Sequence, residues 1–126
     1  MIRVGIDIVS VKRIETMKKR WGETFLQRVF TKNEIRYAQG RGFPAQHLAA
    51  RFAAKEAFLK ALSPDRVGKQ GIPLNSIEVR LAASGRPVIK LGRRAKRAPG
   101  LGKIRQIEVS LSHTHDTAIA SVILLS

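Results

Sequence analysis

The chain has 126 residues, no cysteine and 44% hydrophobic residues, which allows one globular core and excludes disulfides and thiolate metal sites. Its 24 Lys and Arg against 9 Asp and Glu give a formal net charge of +15, a field that attracts nucleic acid, acidic protein or a phosphate-rich cofactor alike. No apolar run approaches the roughly 20 residues of a membrane span. "MIRVGIDIV" reads as a first strand and not a signal peptide, so the cytoplasm is the expected compartment.

Residues 2 to 9 alternate, with Ile2, Val4, Ile6 and Ile8 on one face and Arg3, Gly5, Asp7 and Val9 on the other. That period marks a strand, expected at the centre of its sheet. Ser10 suits the N-cap of a helix running to about Trp21, with Val11, Ile14, Met17 and Trp21 as its apolar stripe and Gly22 as its stop. The other face carries Lys12, Arg13, Lys18, Lys19 and Arg20 against Glu15 alone. In "FTKNEI", Thr31 and Glu34 have capping-box spacing, and Phe30 and Ile35 sit where a hydrophobic staple would. This short helix ends before "GRGFP".

A long alanine-rich helix follows, from about Ala45 to Leu62, stopped by Ser63-Pro64, and "DRVGKQGIP" reads as an exposed loop. The last half is mostly strands. Ile77, Val79 and Leu81 alternate, "ASGRP" turns the chain, and Val88 to Leu91 return it as a hairpin. "RRAKRAPGLGK" is a basic segment with one helical turn or two before Pro99. Ile107, Val109 and Leu111 alternate again, "SHTHD" makes a turn, and Ala118 to Leu125 is a nearly continuous apolar strand suited to the middle of a sheet. Strand, three helices and four strands predict a single α+β domain over residues 1–126.

The alanine-rich helix poses the first chemical question. Leu48, Phe52, Leu59 and Leu62 fall on one arc, and Ala49, Ala50, Ala53, Ala54, Ala57 and Ala61 fill most of the opposite side. A helix apolar all round is a buried one, yet it carries Arg51, Lys55, Glu56 and Lys60. Either Arg51 and Lys55 snorkel while Glu56 pairs with Lys60 one turn on, or the helix lines a site for a charged ligand. Asp7 is equally out of place beside Gly5, which leaves room for another group to approach. It either caps the following helix, pairs with Arg3, or serves a site. Carboxylates such as Asp7 and Glu56, completed by water and phosphate oxygens, suit Mg²⁺, although 49 residues of separation define no site by themselves.

Other motifs are missing. There is no glycine-rich phosphate loop, no His-Glu-x-x-His and no dinucleotide fingerprint. His47, His113 and His115 are too scattered for a zinc site, and His113, continuing the face of Ile107, Val109 and Leu111, reads from its spacing as a core histidine.

Three stretches, in order and at matching spacing, resemble the signature blocks of the holo-acyl-carrier-protein synthases, the short bacterial 4′-phosphopantetheinyl transferases. They are "GIDIVSVKRIE" at 5–15, "RFAAKEAFLKAL" at 51–62 and "VSLSHTHDTAIASVIL" at 109–124, and "FTKNEI" resembles a fourth, weaker element. The resemblance implies a Mg²⁺-dependent enzyme that moves the 4′-phosphopantetheine arm of coenzyme A onto a serine of apo acyl carrier protein. Adenosine 3′,5′-bisphosphate leaves, and the product serves fatty acid biosynthesis. It also implies a homotrimer with active sites at subunit boundaries, resembling one half of a larger transferase fold.

Carried over by position, Asp7 and Glu56 are the expected metal ligands, with Lys60 completing the catalytic set and reaching the cofactor phosphates. Arg51 and Lys55 are expected to contact the cofactor or a neighbouring subunit. Ser112, His113 and Thr114 match a turn at the nucleotide end of coenzyme A, and Gly85, Arg86 and Pro87 a turn near the adenine. Arg13 matches a family position for docking the acidic carrier, and Lys18 and Arg20 join it on charge and helix spacing. Ser63-Pro64-Asp65, the basic segment at 93–103 and His115 depart from the family pattern. The competing reading, a basic nucleic-acid-binding module without catalysis, lacks a recognition motif and an aromatic sheet face, so no specific nucleic acid or membrane partner is expected.

Overall fold

The structure is a computed structural model that describes residues 1–63, 65 and 71–126. Strand β1 (Ile2–Ser10), β4 (Gln106–His113) and β5 (Thr117–Leu125) form an antiparallel sheet in the order β1-β5-β4. β5 is central, as its continuous apolar sequence predicts. β1 is an edge strand and not the expected central one, because it pairs along its whole length with β5 alone among the described residues.

Directly opposed residues of an antiparallel pair share a face. Gly5, Asp7 and Val9 therefore lie with Val122, Ala120 and Ala118, and Ile2, Val4, Ile6 and Ile8 lie with Leu125, Ile123, Ser121 and Ile119. The first face packs against helix α3 (Pro44–Leu62), whose alanines are almost all fully buried. Small side chains bring α3 unusually close: a Cβ on Gly5 would lie 1.9 Å from the carbonyl oxygen of Ala57. The second face is open, with Ile2, Val4, Ile6 and Ile8 each 56–67% exposed.

Helix α1 (Val11–Val29) starts at Ser10, whose side chain accepts from the Arg13 amide. Gly22, at φ 55° and ψ −134°, breaks the helical path where the sequence predicts the stop, and a second helical stretch follows that buries Phe25, Leu26 and Val29. Trp21, expected in the apolar stripe, is 54% exposed. Helix α2 (Lys32–Gln39) has the expected capping box in full, with Phe30 buried before it. The Ser63 amide closes on the Leu59 carbonyl after α3, whereas Pro64 and most of "DRVGKQGIP" lie outside the described residues.

Strands β2 (Ile77–Leu81) and β3 (Pro87–Leu91) form the expected hairpin. The basic segment makes the single turn α4 (Arg93–Lys96) and a short 3-10 turn at Leu101–Lys103. At the far end of the sheet the Met1 amine donates to the Ser126 carbonyl and the Ser126 amide returns a bond to Met1.

Candidate active site

Asp7 projects from β1 toward the C-terminal half of α3 because its strand face is the one that packs there. Both ordinary explanations for it fail. Ser10 is the helix cap, and Arg3 donates instead to the Leu62 carbonyl at 2.7 Å. Its partner is Lys60, whose ammonium donates to Asp7 Oδ1 at 3.0 Å and to the Ile6 carbonyl at 3.1 Å. Of the two alternatives for the helix charges, the one that pairs Lys60 with Glu56 gives way to a bridge from Lys60 on α3 to Asp7 on β1.

Glu56 is the third member. Burial, and then the nearby negative charge of Asp7, push its carboxyl above the ordinary 4.5, while Lys60 and Arg13 pull the other way. A half-buried carboxyl that a neighbouring carboxylate discourages from ionising makes, with that neighbour, a good seat for a hard cation. No group of three or more His, Cys, Asp or Glu forms a candidate metal cage among the described residues. A cation held by Asp7 and Glu56 would therefore complete its shell with water or ligand oxygens, the coordination Mg²⁺ favours. The residues fit the ion.

A second cluster lies one to two turns back along α3. The Arg51 guanidinium sits 4.3 Å from the Tyr37 ring centroid, and Arg41 sits 4.4 Å from the same ring. His47 packs edge-on to Tyr37 at 5.5 Å and to His113 at 6.0 Å. Burial, followed by the positive charges of Arg51, His113 and Arg41, lowers the pKa of His47. Arg51 is only 4% exposed and its Nε has no hydrogen-bond partner among the described residues. Cationic groups gathered around one ring, with a buried donor unused, make a surface for an anion. His113 is exposed and not the core histidine its spacing suggests. Tyr37, Arg41 and His47 were missed by sequence reasoning, because contacts between α2, the following loop and α3 leave no periodic trace.

Several expected site residues behave differently. Lys55 does not snorkel and does not face a ligand. It is 0% exposed, and its ammonium donates to Glu34 at 2.8 Å, to the Leu74 carbonyl at 2.9 Å and to the Ile77 carbonyl. With its donors used, it has nothing left for a cofactor. The Thr114 hydroxyl donates to Asp116 and accepts from the Thr117 amide, so it closes the β4–β5 turn. Ser112 points to the open sheet face while His113 is on the α3 side.

Gly85, at φ 87°, gives the β2–β3 hairpin its tight turn before Pro87. Arg86 there pairs with both carboxylate oxygens of Glu108 on β4, and no hydrogen bond or ion pair among the described residues ties it to either cluster. On α1, Arg13 lies 5.7 Å over the Phe52 ring and Arg20 5.3 Å over Trp21. Arg13 and Arg20, two turns apart, share a face with Met17 close by, whereas Lys18 falls about 140° from Arg13. Lys18 instead borders a 530 Å³ cavity with Phe43, Gln46 and His115.

Residues 3–121 match the 4′-phosphopantetheinyl transferase superfamily. A holo-acyl-carrier-protein synthase of Syntrophus aciditrophicus is 48% identical over 95% of this chain and 92% of its own length. One from Thermodesulfovibrio yellowstonii is 42% identical, with 96% of each chain covered. Among solved structures, the Helicobacter pylori holo-acyl-carrier-protein synthase in complex with coenzyme A is similar at a TM-score of 0.81 and 32% identity, over 97% of this chain and 99% of that one. Asp7, Glu56, Lys60, Arg51 and His113 all lie within the matched residues, on the elements that build both clusters, and the chain belongs to the 4′-phosphopantetheinyl transferase superfamily.

Proposed function

We propose that the chain is a holo-acyl-carrier-protein synthase, transferring the 4′-phosphopantetheine arm of coenzyme A to a serine of apo acyl carrier protein and releasing adenosine 3′,5′-bisphosphate. The observation that carries the reading is the meeting of Asp7, Glu56 and Lys60 where β1 crosses α3, in a chain of this family.

Asp7 and Glu56 hold Mg²⁺ in this reading, and the bound ion supplies charge neutralisation to the pyrophosphate and the departing bisphosphate. Lys60 lies one turn beyond Glu56 with its side chain 42% exposed, which lets the ammonium reach phosphate oxygens while Asp7 holds its stem in place. The carboxylate of Glu56, beside this site, is assigned the proton of the attacking serine hydroxyl. The serine oxygen forms its bond to phosphorus as the bond to the leaving bisphosphate breaks. The nucleophile belongs to the carrier, so its absence from this chain is consistent with the chemistry.

Arg51 and His113 are assigned to the anionic cofactor on the strength of the unpartnered Nε and the surrounding positive charge. The acidic carrier is assigned to the α1 face of Arg13 and Arg20, where complementary charge steers encounter and sets orientation. A homotrimer accounts for the open face of Ile2, Val4, Ile6 and Ile8, since apolar patches of this kind mark association surfaces. It also accounts for the separation of Gly85, Arg86 and Pro87 from the other clusters, because a neighbouring subunit would bring that turn to the cofactor. No described helix is long and apolar enough to cross a membrane, and we place the reaction in the cytoplasm.

The test is intact mass spectrometry of an apo acyl carrier protein incubated with the chain, coenzyme A and Mg²⁺, beside a chelator control. A gain of one phosphopantetheine arm that the chelator abolishes is expected, and Asp7→Ala and Glu56→Ala each lower the rate by about a hundredfold or more. No gain with several carriers would overturn the reading.

A further inference from the structure

The transfer chemistry leaves one buried ion pair without a role. Glu34 on α2 and Lys55 on α3 meet at 2.8 Å with both side chains fully excluded from solvent. Glu34 Oε1 also accepts from the Thr31 amide at 2.9 Å, and Oε2 accepts from the Val79 amide at 2.8 Å. Lys55 reaches past it to the carbonyls of Leu74 and Ile77. One knot thus ties α2, α3 and the start of the β2–β3 hairpin. The "FTKNEI" element and the lysine of "RFAAKEAFLKAL" are its two halves. Buried pairs of this kind add little stability over apolar replacements and are at their best when they select one geometry.

What that geometry sets is the next rung. Tyr37 lies one turn after Glu34 on α2, and Arg51 lies one turn before Lys55 on α3. Glu34 of the first rung and both members of the second border one 410 Å³ cavity, with Asn33 and Val79 beside them. Glu34 attracts Arg51 electrostatically, yet its carboxylate already receives Lys55 and two backbone amides. Arg51 donates instead to the His47 carbonyl at 3.3 Å and keeps its buried Nε unused.

We infer that Lys55 is a positioning residue: by saturating Glu34 it keeps Arg51 free for an anionic ligand and holds the base of the hairpin that carries Arg86. The inference rests on the proposed assignment of Arg51 to coenzyme A. Without Lys55, Glu34 Oε1 keeps only the Thr31 amide and its uncompensated charge captures the Arg51 guanidinium, so the anion surface loses its buried cation.

The experiment compares Lys55→Met, Lys55→Met/Glu34→Gln and Arg51→Ala with the wild type. Coenzyme A affinity is read by calorimetry, KM and kcat by carrier modification, and the hairpin by hydrogen exchange at Val79. Lys55→Met is expected to weaken coenzyme A binding and raise its KM by about tenfold, to about the level of Arg51→Ala, with kcat within about threefold. Adding Glu34→Gln removes the competing carboxylate and returns KM to within about threefold of the wild type. Exchange at Val79 quickens in both Lys55 variants. An unchanged KM in Lys55→Met overturns the inference, as does a loss that Glu34→Gln does not repair, since a lysine that touches the cofactor itself cannot be rescued that way. If Lys55→Met does not fold, the double variant alone decides, because a tenfold loss there assigns the defect to Lys55 directly. Wild-type binding of coenzyme A without transfer would overturn the proposed function and leave this inference to the calorimetry, whereas no binding would overturn both.

Discussion

Glu56 is held against its own ionisation by burial and by Asp7, and that has a consequence for stability with a definite sign. A carboxyl whose native pKa is raised above its unfolded value stabilises the fold below the unfolded pKa, and this contribution is lost as pH rises through the native pKa. In chelator near neutral pH, Glu56→Gln is therefore expected to melt about one to three degrees higher than the wild type while losing transfer. On acidification the wild type gains on the variant as pH falls through the range above 4.5, and thermal melts at a series of pH values check it. A variant that melts lower at neutral pH would contradict the coupling. Asp7, Glu56 and Lys60 stood out in the sequence as charges in elements whose patterns demanded burial, but only the family resemblance put them in one site. Lys55 stood out for the same reason, yet its role was not legible: its carboxylate partner lies 21 residues away in α2, and two of its acceptors are backbone carbonyls.

At the scale of elements, the contact between β1 and α3 decides whether Asp7 and Glu56 meet. Gly5 carries that contact. Gly5→Ala drives a Cβ into the Ala57 carbonyl at 1.9 Å, against backbone that cannot step aside, and is expected to cost about 2–4 kcal/mol. Urea unfolding measures the loss, and a change under about 0.5 kcal/mol would show that the helix slides freely on the sheet. The element boundaries were readable where chemistry marks them, as in the Thr31–Glu34 capping box and the 77–91 hairpin. They were incomplete where a helical stretch carries no cap signal of its own. Gly22 breaks the helix as its sequence suggests, but the stretch after it, which buries Phe25, Leu26 and Val29, was not read from the sequence. Alternation in β1 likewise identifies two faces without saying how many strands lie beside it, so an edge strand passed for a central one.

Across the whole molecule, the sheet is sealed on one side by α3 and open on the other. Val4→Lys with Ile6→Lys leaves every contact to α3 in place, since both side chains face outward. If the proposed homotrimer forms through this face, the pair is expected to leave monomers in sedimentation velocity, with unchanged circular dichroism and little transfer. Oligomers that persist would remove this face from the proposed interface. The carrier assignment is tested on the same scale of long-range charge: Arg13→Glu with Arg20→Glu is expected to slow association with the carrier by about tenfold or more at low salt, with a smaller gap as ionic strength rises. One further consequence follows from the pairing of β1 with β5, in which Ile2 lies opposite Leu125. Asp7 sits on a strand whose described partner is far along the chain, with Ala120 as its opposite residue. The three helices lie between the two strands in the chain, so a long loop must close before the pairing forms, and refolding is expected to be slower than that of a helical bundle of the same size.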